Sequence, residues 1–210
     1  MEFLERETQL QRLIALHGRA ADGDGACALI HGEAGIGKTM LVRRFVRTLS
    51  TNAKPLIAGC EALFTPRPLG PLVDLADQLP PSIAQALHEG STYNGLFPSF
   101  LTFLREARNE RKPTVFVIED IHWADASTLD FIRYVGRRLA GLSVLMVLTY
   151  RDEALTQDHP LRQVLGELPA VNTIRLPLAA LSVNAVEQLA TLANRSANGI
   201  FEVTAGNPFL

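Results

Sequence analysis

Short apolar runs alternate along this chain with segments whose apolar residues recur at helical spacing. Residues 26–30 (Ala26-Cys27-Ala28-Leu29-Ile30), 115–118 (Val115-Phe116-Val117-Ile118) and 144–149 are nearly continuous hydrophobic stretches bounded by turn formers. Such runs mark strands covered on both faces rather than strands with one wet side. Two further strands are expected at 55–59, with Lys54 at its start, and near 172–176. Between them, Leu4, Leu10, Leu13, Ile14, Leu16 and Ala20 give a helix over 4–21, closed by Asp22-Gly23-Asp24-Gly25. Further helices are predicted over 40–49, from 72 onward, over 96–108, from Ser127 as cap to about 139, over 160–168, and over 183–192 behind Ser182. Pro66, Pro68, Gly70 and Pro71, then Pro80-Pro81, read as interruptions, and 109–113 as a polar turn. Strands separated by helices predict an α/β fold, a mainly parallel sheet with helices on both faces.

One junction carries chemistry. Between the first strand and the next helix stands Gly32-Glu33-Ala34-Gly35-Ile36-Gly37-Lys38-Thr39, which fits the phosphate-binding loop pattern. Gly32, Gly35 and Gly37 let the backbone curl so that several N–H groups converge on an anion, and the helix start adds unpaired donors and a positive dipole end. Lys38 is placed to reach the terminal phosphates, and the Thr39 hydroxyl to coordinate magnesium. Lysine is scarce here, occurring otherwise only as Lys54 and Lys112, which makes a chance match less expected than average composition suggests.

A second set of candidates lies at other strand ends. The strand at 115–118 runs into Glu119-Asp120. If it neighbours the strand before Gly32, Glu119 is suited to holding magnesium through water, and Asp120 to orienting or activating the attacking water. Arg151 ends another strand on the same edge, where it would contact the terminal phosphate; pairing with Asp152 or Glu153 is the alternative. His122 reads more readily as a packing or orienting side chain than as a phosphate contact, Trp123 as a packing anchor, and Asp125 as a turn-orienting or helix-capping residue. The other histidines, His17, His31, His88 and His159, are scattered and form no zinc pattern.

Composition narrows the rest. At 210 residues with 47% hydrophobic and 20% charged positions, the chain has material for one substantial core. A formal net charge of -2 gives no overall drive toward nucleic acid or acidic membrane, so direct nucleic-acid binding is not expected despite Arg43, Arg44 and Arg47 on one helix and Arg133, Arg137 and Arg138 on another. Cys27 and Cys60 fit isolated core thiols in a reducing compartment, and no signal-peptide or membrane-spanning run is present, which points to the cytoplasm.

Five ordered landmarks make the chain resemble the nucleotide-binding module of the large signal-transduction ATPases, the STAND class, as found in bacterial LuxR-type and MalT-like regulators and adenylate-cyclase-associated modules. They are Phe3-Leu4-Glu5-Arg6-Glu7, the loop 32–39, the segment 115–125 with Glu119-Asp120-Ile121-His122-Trp123-Ala124-Asp125, Tyr150-Arg151, and Gly206-Asn207-Pro208-Phe209. Glu5 stands where the family commonly has glycine, and Glu119 where it commonly has aspartate. The resemblance implies a three-layer P-loop NTPase fold with strand order 5-1-4-3-2, and ATP or ADP with Mg2+. It places Arg6 and Pro208 near adenine, and Met40 joins the loop residues in the nucleotide-binding set. It also implies slow ATP hydrolysis acting as a switch upon downstream helical and sensor domains or other subunits. The ATPase domain is expected over 1–205, with 206–210 beginning a helical lid. A non-hydrolysing nucleotide-binding module is the alternative, and a metabolite kinase a distant third.

Overall fold

The computed structural model describes residues 4–49, 55–89, 93–106, 113–197 and 199–209, with the side chains of 93 and 94 left aside. Phe3, Lys54, Arg108, the predicted turn residues 109–112 and Leu210 lie outside the described residues.

Among the described residues five parallel strands form one sheet: β1 (Ala26–His31), β2 (Leu56–Gly59), β3 (Thr114–Glu119), β4 (Val144–Tyr150) and β5 (Thr173–Pro177). Their spatial order is β2-β3-β4-β1-β5, which is 5-1-4-3-2 read from the other edge. Helices α1 (Glu7–Ala21), α2 (Lys38–Thr48), α3 (Gly70–Asp74), α4 (Pro81–His88), α5 (Tyr93–Glu106), α6 (Ala126–Gly136), α7 (Pro160–Glu167), α8 (Val183–Leu192) and α9 (Ile200–Thr204) precede, connect and follow them.

Two faces of the sheet bury two different sets of side chains, as a strand's alternation requires. Ala26, Ala28, Ile30, Val115, Val117, Leu145 and Val147 pack with Leu13 and Leu16 of α1 and Leu41 and Phe45 of α2. Cys27, Leu29, Phe116, Ile118, Met146 and Leu148 face the opposite way, toward α5, α6 and α7. There Phe100 stands edge-on to Phe131 at 4.9 Å and beside Phe116 at 5.4 Å, so aromatic rings from two helices and a strand fill one layer. The central strand β4 is buried along its whole length, which explains its uninterrupted apolar reading. Cys27 and Cys60 are free thiols, and burial pushes Cys60 up to about 12, leaving it protonated.

Three helix starts refine the sequence reading. Pro80-Pro81, read as a break, instead opens α4, with Pro81 at a first-turn position where its missing N–H has no partner to lose. Helix α5 begins at Tyr93, three residues before the predicted start, and holds Pro98 inside it as the predicted span does. At α6, where both Ser127 and Asp125 stand as cap candidates, the cap is Asp125: its carboxylate accepts from the backbone N–H of Ser127 at 2.8 Å and Thr128 at 3.3 Å. The short helix α9 carries no periodic signal long enough to read from sequence.

Candidate nucleotide site

Strand register assembles the site. β1 lies between β4 and β5, with His31 opposite both Tyr150 and Pro177, so Gly32 and Arg151 leave the sheet at one level. β3 pairs with β4 through Ile118 and Leu148, bringing Glu119 and Asp120 to that same carboxyl edge. Side chains distant in sequence therefore meet because parallel strands end together.

The loop 32–39 has positive φ at Gly32 (144°), Gly35 (75°) and Gly37 (102°). Gly32 and Gly35 are also needed for close approach: an added Cβ would lie 2.6 Å from the Leu178 carbonyl oxygen and 2.6 Å from Phe209 Cβ, respectively. Gly37, immediately before α2, faces open space, with nothing within 4 Å of a Cβ built there. Lys38 folds back across the loop, its Nζ donating to the carbonyls of Gly32 at 2.8 Å and Glu33 at 2.7 Å. Burial lowers the Lys38 pKa, against the opposing pull of Asp120 and Glu153. Thr39 Oγ1 donates to Glu119 Oε2 at 2.5 Å, while burial raises the Glu119 carboxyl.

A cavity of about 280 Å³ is lined by Gly35, Gly37, Lys38, Thr39, Met40, Asp120, Arg151 and Phe209. Seven of the residues singled out from sequence thus line one space, joined by Phe209. Gly32, Glu33 and Ala34 do not line it: the first two accept from Lys38 through their carbonyls and Ala34 bonds Glu153 and Asn207, while Ile36 is buried in the core and Glu119 reaches the site through Thr39. Arg151 makes no ion pair among the described residues. The acids beside it are engaged elsewhere, Asp152 with His31 Nδ1 at 2.9 Å and Glu153 with the Ala34 N–H at 2.8 Å.

Arg6 is buried and does not line that cavity. Its guanidinium donates to the Ala179 carbonyl at 2.6 Å and the Ile36 carbonyl at 3.4 Å, tying the start of the chain to the loop and to the segment after β5. Glu5 adopts φ 56°, which accounts for a glycine preference here, and its carboxylate accepts from the Ser182 N–H at 2.9 Å and from its hydroxyl. Pro208 is exposed and follows Asn207, whose Nδ2 donates to the Ala34 carbonyl at 2.8 Å.

Sequence reasoning passed over three side chains. Thr149 Oγ1 accepts the Asp120 N–H at 2.9 Å and supports that residue at φ 54°. A hydroxyl in an otherwise apolar central strand was its available signal. In the sequence Asn207 is only part of a landmark; in the fold it bonds the loop directly. His159 accepts the Leu161 N–H at Nδ1, so its Nε2 carries the proton and donates to the His122 carbonyl at 3.2 Å; no local pattern announces this. Trp123, read as a packing anchor, is 43% exposed; its ring packs against His122 at 5.1 Å between centroids, and it lines a separate cavity of about 350 Å³ with Cys60, Leu63, Pro66 and Pro71. That larger cavity contains neither the loop nor Lys38.

A glycine loop joining an inner parallel strand to a helix, with an arginine from the adjacent strand β4 and acids from β3, which lies one strand beyond β4 rather than beside the loop's own strand, defines a P-loop NTPase domain. The chain belongs to the AAA ATPase domain family, whose sequence pattern matches residues 2–147. An uncharacterized protein of Rhizobium meliloti (strain 1021) is 28% identical over 222 aligned positions, covering 85% of this chain and 22% of that protein. Among solved structures, a signal transduction ATPase with numerous domains and a tetratricopeptide repeat sensor, from Pyrococcus horikoshii, superposes with TM-score 0.56 and 15% identity over 98% of this chain and 28% of its own. The Walker-type ATPase of Pyrococcus abyssi gives TM-score 0.60 at 13% identity, over 98% of this chain and 65% of that one. Drosophila ORC bound to DNA gives 0.59 at 21%, over 89% and 46%. These structural likenesses concern the fold, and the chain spans only about a quarter of the length of the first two relatives. Among the described residues no helix is long and apolar enough to cross a membrane.

Proposed function

We propose that this domain binds ATP and ADP with Mg2+ and hydrolyses ATP slowly, serving as the nucleotide-dependent switch of a larger regulatory protein of the STAND type, such as a LuxR-type or MalT-like regulator. The observation that carries this reading is the convergence of Lys38, Thr39, Asp120 and Arg151 on one cavity floored by Gly35 and Gly37. The loop amides and the start of α2 take the phosphates, Lys38 neutralises the terminal ones, and Arg151 contacts the terminal phosphate. Asp120 orients and deprotonates the attacking water from the edge of the cavity. Arg6 and Pro208 border the adenine, Met40 extends the contact along α2, and residues 206–210 begin the helical lid beyond an ATPase domain ending at 205.

The donor set suits magnesium. Thr39 Oγ1 and Glu119 Oε2 already lie together at 2.5 Å, both are hard oxygen ligands, and a P-loop ion takes its remaining ligands from phosphate and water. Groups of three or more His, Cys, Asp or Glu able to hold a metal are absent among the described residues, which is compatible with such a small protein share. The bound ion supplies positive charge where phosphoryl transfer accumulates negative charge.

Magnesium-dependent phosphate release from ATP, measured on wild type and Asp120→Asn with bound nucleotide identified after denaturation, tests the proposal. Release abolished in Asp120→Asn with nucleotide retained supports the enzyme. Equal background release in both forms leaves a nucleotide-binding interaction module, and no measurable nucleotide affinity in the folded chain refutes both.

A further inference from the structure

His122 is buried without an explanation in packing alone. Its side chain has 0% exposure, and neither ring nitrogen has a hydrogen-bond partner among the described residues. Two unpaired buried nitrogens are costly, and an apolar ring in the same place would avoid that cost. The carboxylate of Asp120 stands nearby, with Oδ1 3.9 Å from His122 Nδ1, too far for a hydrogen bond and about 1 Å beyond a good one.

The two residues differ in freedom. His122 is pinned through its carbonyl by His159 Nε2 at 3.2 Å, and its ring packs against Trp123 at 5.1 Å between centroids. Asp120 is anchored at its N–H by Thr149, but its carboxylate is 37% exposed, lines the cavity and accepts no hydrogen bond among the described residues. The carboxylate is therefore the part able to move. Burial holds His122 below the usual imidazole range despite Asp120, so the ring is neutral and carries one proton to donate.

We propose that His122 is a positioning residue: with nucleotide bound, its Nδ1–H donates to the Asp120 carboxylate and fixes it, leaving the second carboxylate oxygen to accept the proton of the attacking water. This deepens the proposed function and rests on Asp120 being the group that orients that water. No covalent step involves His122, whose proton stays on the ring.

His122→Phe and His122→Asn separate the donor from the shape. His122→Phe removes both unpaired nitrogens, so the apo protein melts no lower than wild type and binds Mg-ATP with unchanged KM, while kcat falls about tenfold to a hundredfold. His122→Asn places an amide donor near the Nδ1 position and recovers much of kcat despite its smaller volume. An unchanged kcat in a folded His122→Phe, or an equal loss in His122→Asn, overturns the proposal. If His122→Phe and Asp120→Asn both keep wild-type turnover, or wild type has none, the reading of Asp120 fails as well. In a nitrogen-15 labelled wild type, adding Mg2+ and a non-hydrolysable ATP analogue brings out a hydrogen-bonded Nδ1–H signal that is missing in Asp120→Ala. Its absence from the nucleotide-bound wild type refutes the contact irrespective of how the variants fold.

Discussion

Thr149→Val exchanges one buried hydroxyl for a methyl of nearly the same size and tests what holds Asp120 in place. Thr149 is 1% exposed, and its Oγ1 accepts the Asp120 N–H at 2.9 Å. Without that acceptor the amide is left unpaired, at about 1–3 kcal/mol. Asp120 has φ 54° and ψ 42°, a left-handed conformation costing a non-glycine residue roughly 1–2 kcal/mol. The strain and the lost bond act in the same direction, so the turn can recover part of the loss by leaving that conformation. A net destabilisation of about 1–2 kcal/mol is expected, which lowers Tm by roughly 2–8 °C for a chain of this size. Relaxation also withdraws the carboxylate from the cavity edge, so ATP turnover falls by more than stability alone would reduce it. Thr149→Ser keeps the oxygen and loses a methyl worth about 0.8 kcal/mol, providing the control. Thermal unfolding, phosphate release and amide exchange at Asp120 are the assays. Unchanged Tm together with unchanged protection of the Asp120 amide in Thr149→Val would refute the reasoning.

Two loop glycines should fail differently. Gly37→Ala puts a methyl into open space at φ 102°, so it weakens ATP binding while melting only a few degrees low; Gly35→Ala also forces apart Phe209 and Asn207, and calorimetry should show the larger loss of stability there. At Glu5, glycine relieves the φ 56° strain but gives up both bonds to Ser182, so urea unfolding should place Glu5→Gly near wild type and Glu5→Ala about 1–2 kcal/mol below it. Equal losses for the two would refute the strain argument. His17 packs edge-on to Phe45, and burial lowers its pKa, so the folded state binds fewer protons than the unfolded chain. The stability contributed by neutral His17 is complete above about pH 6.5 and is lost as pH falls through its folded value, and His17→Gln should flatten that acid limb in denaturation curves.

Local pattern was sufficient wherever the determining contacts are local or the burial is symmetric. Buried strands announce themselves as apolar runs, and β1, β3 and β4 lie where those runs stand, because β4 and its neighbours are covered on both faces. The loop 32–39 was legible because its curvature requires glycine at fixed spacing, and its φ values show that requirement. Ser182 caps α8 as its hydroxyl and position suggest, accepting the Ala185 N–H at 3.2 Å.

Only the tertiary structure decided which side chains of the site support one another. Asp120 depends on Thr149, Ala34 on Asn207 and Glu153, and His122 on a histidine in another loop, across separations with no periodic signature. Trp123 reads from its chemistry as a packing anchor, but that its partner is the buried His122 ring and that it stays 43% exposed follow only from the fold. The sequence by itself determined a phosphate-binding loop in a parallel α/β fold, since both follow from backbone needs repeated along a few residues. The state of Asp120, held by its amide and with its carboxylate 3.9 Å from a buried imidazole, exists only once strands β3 and β4 have paired and their ends have met.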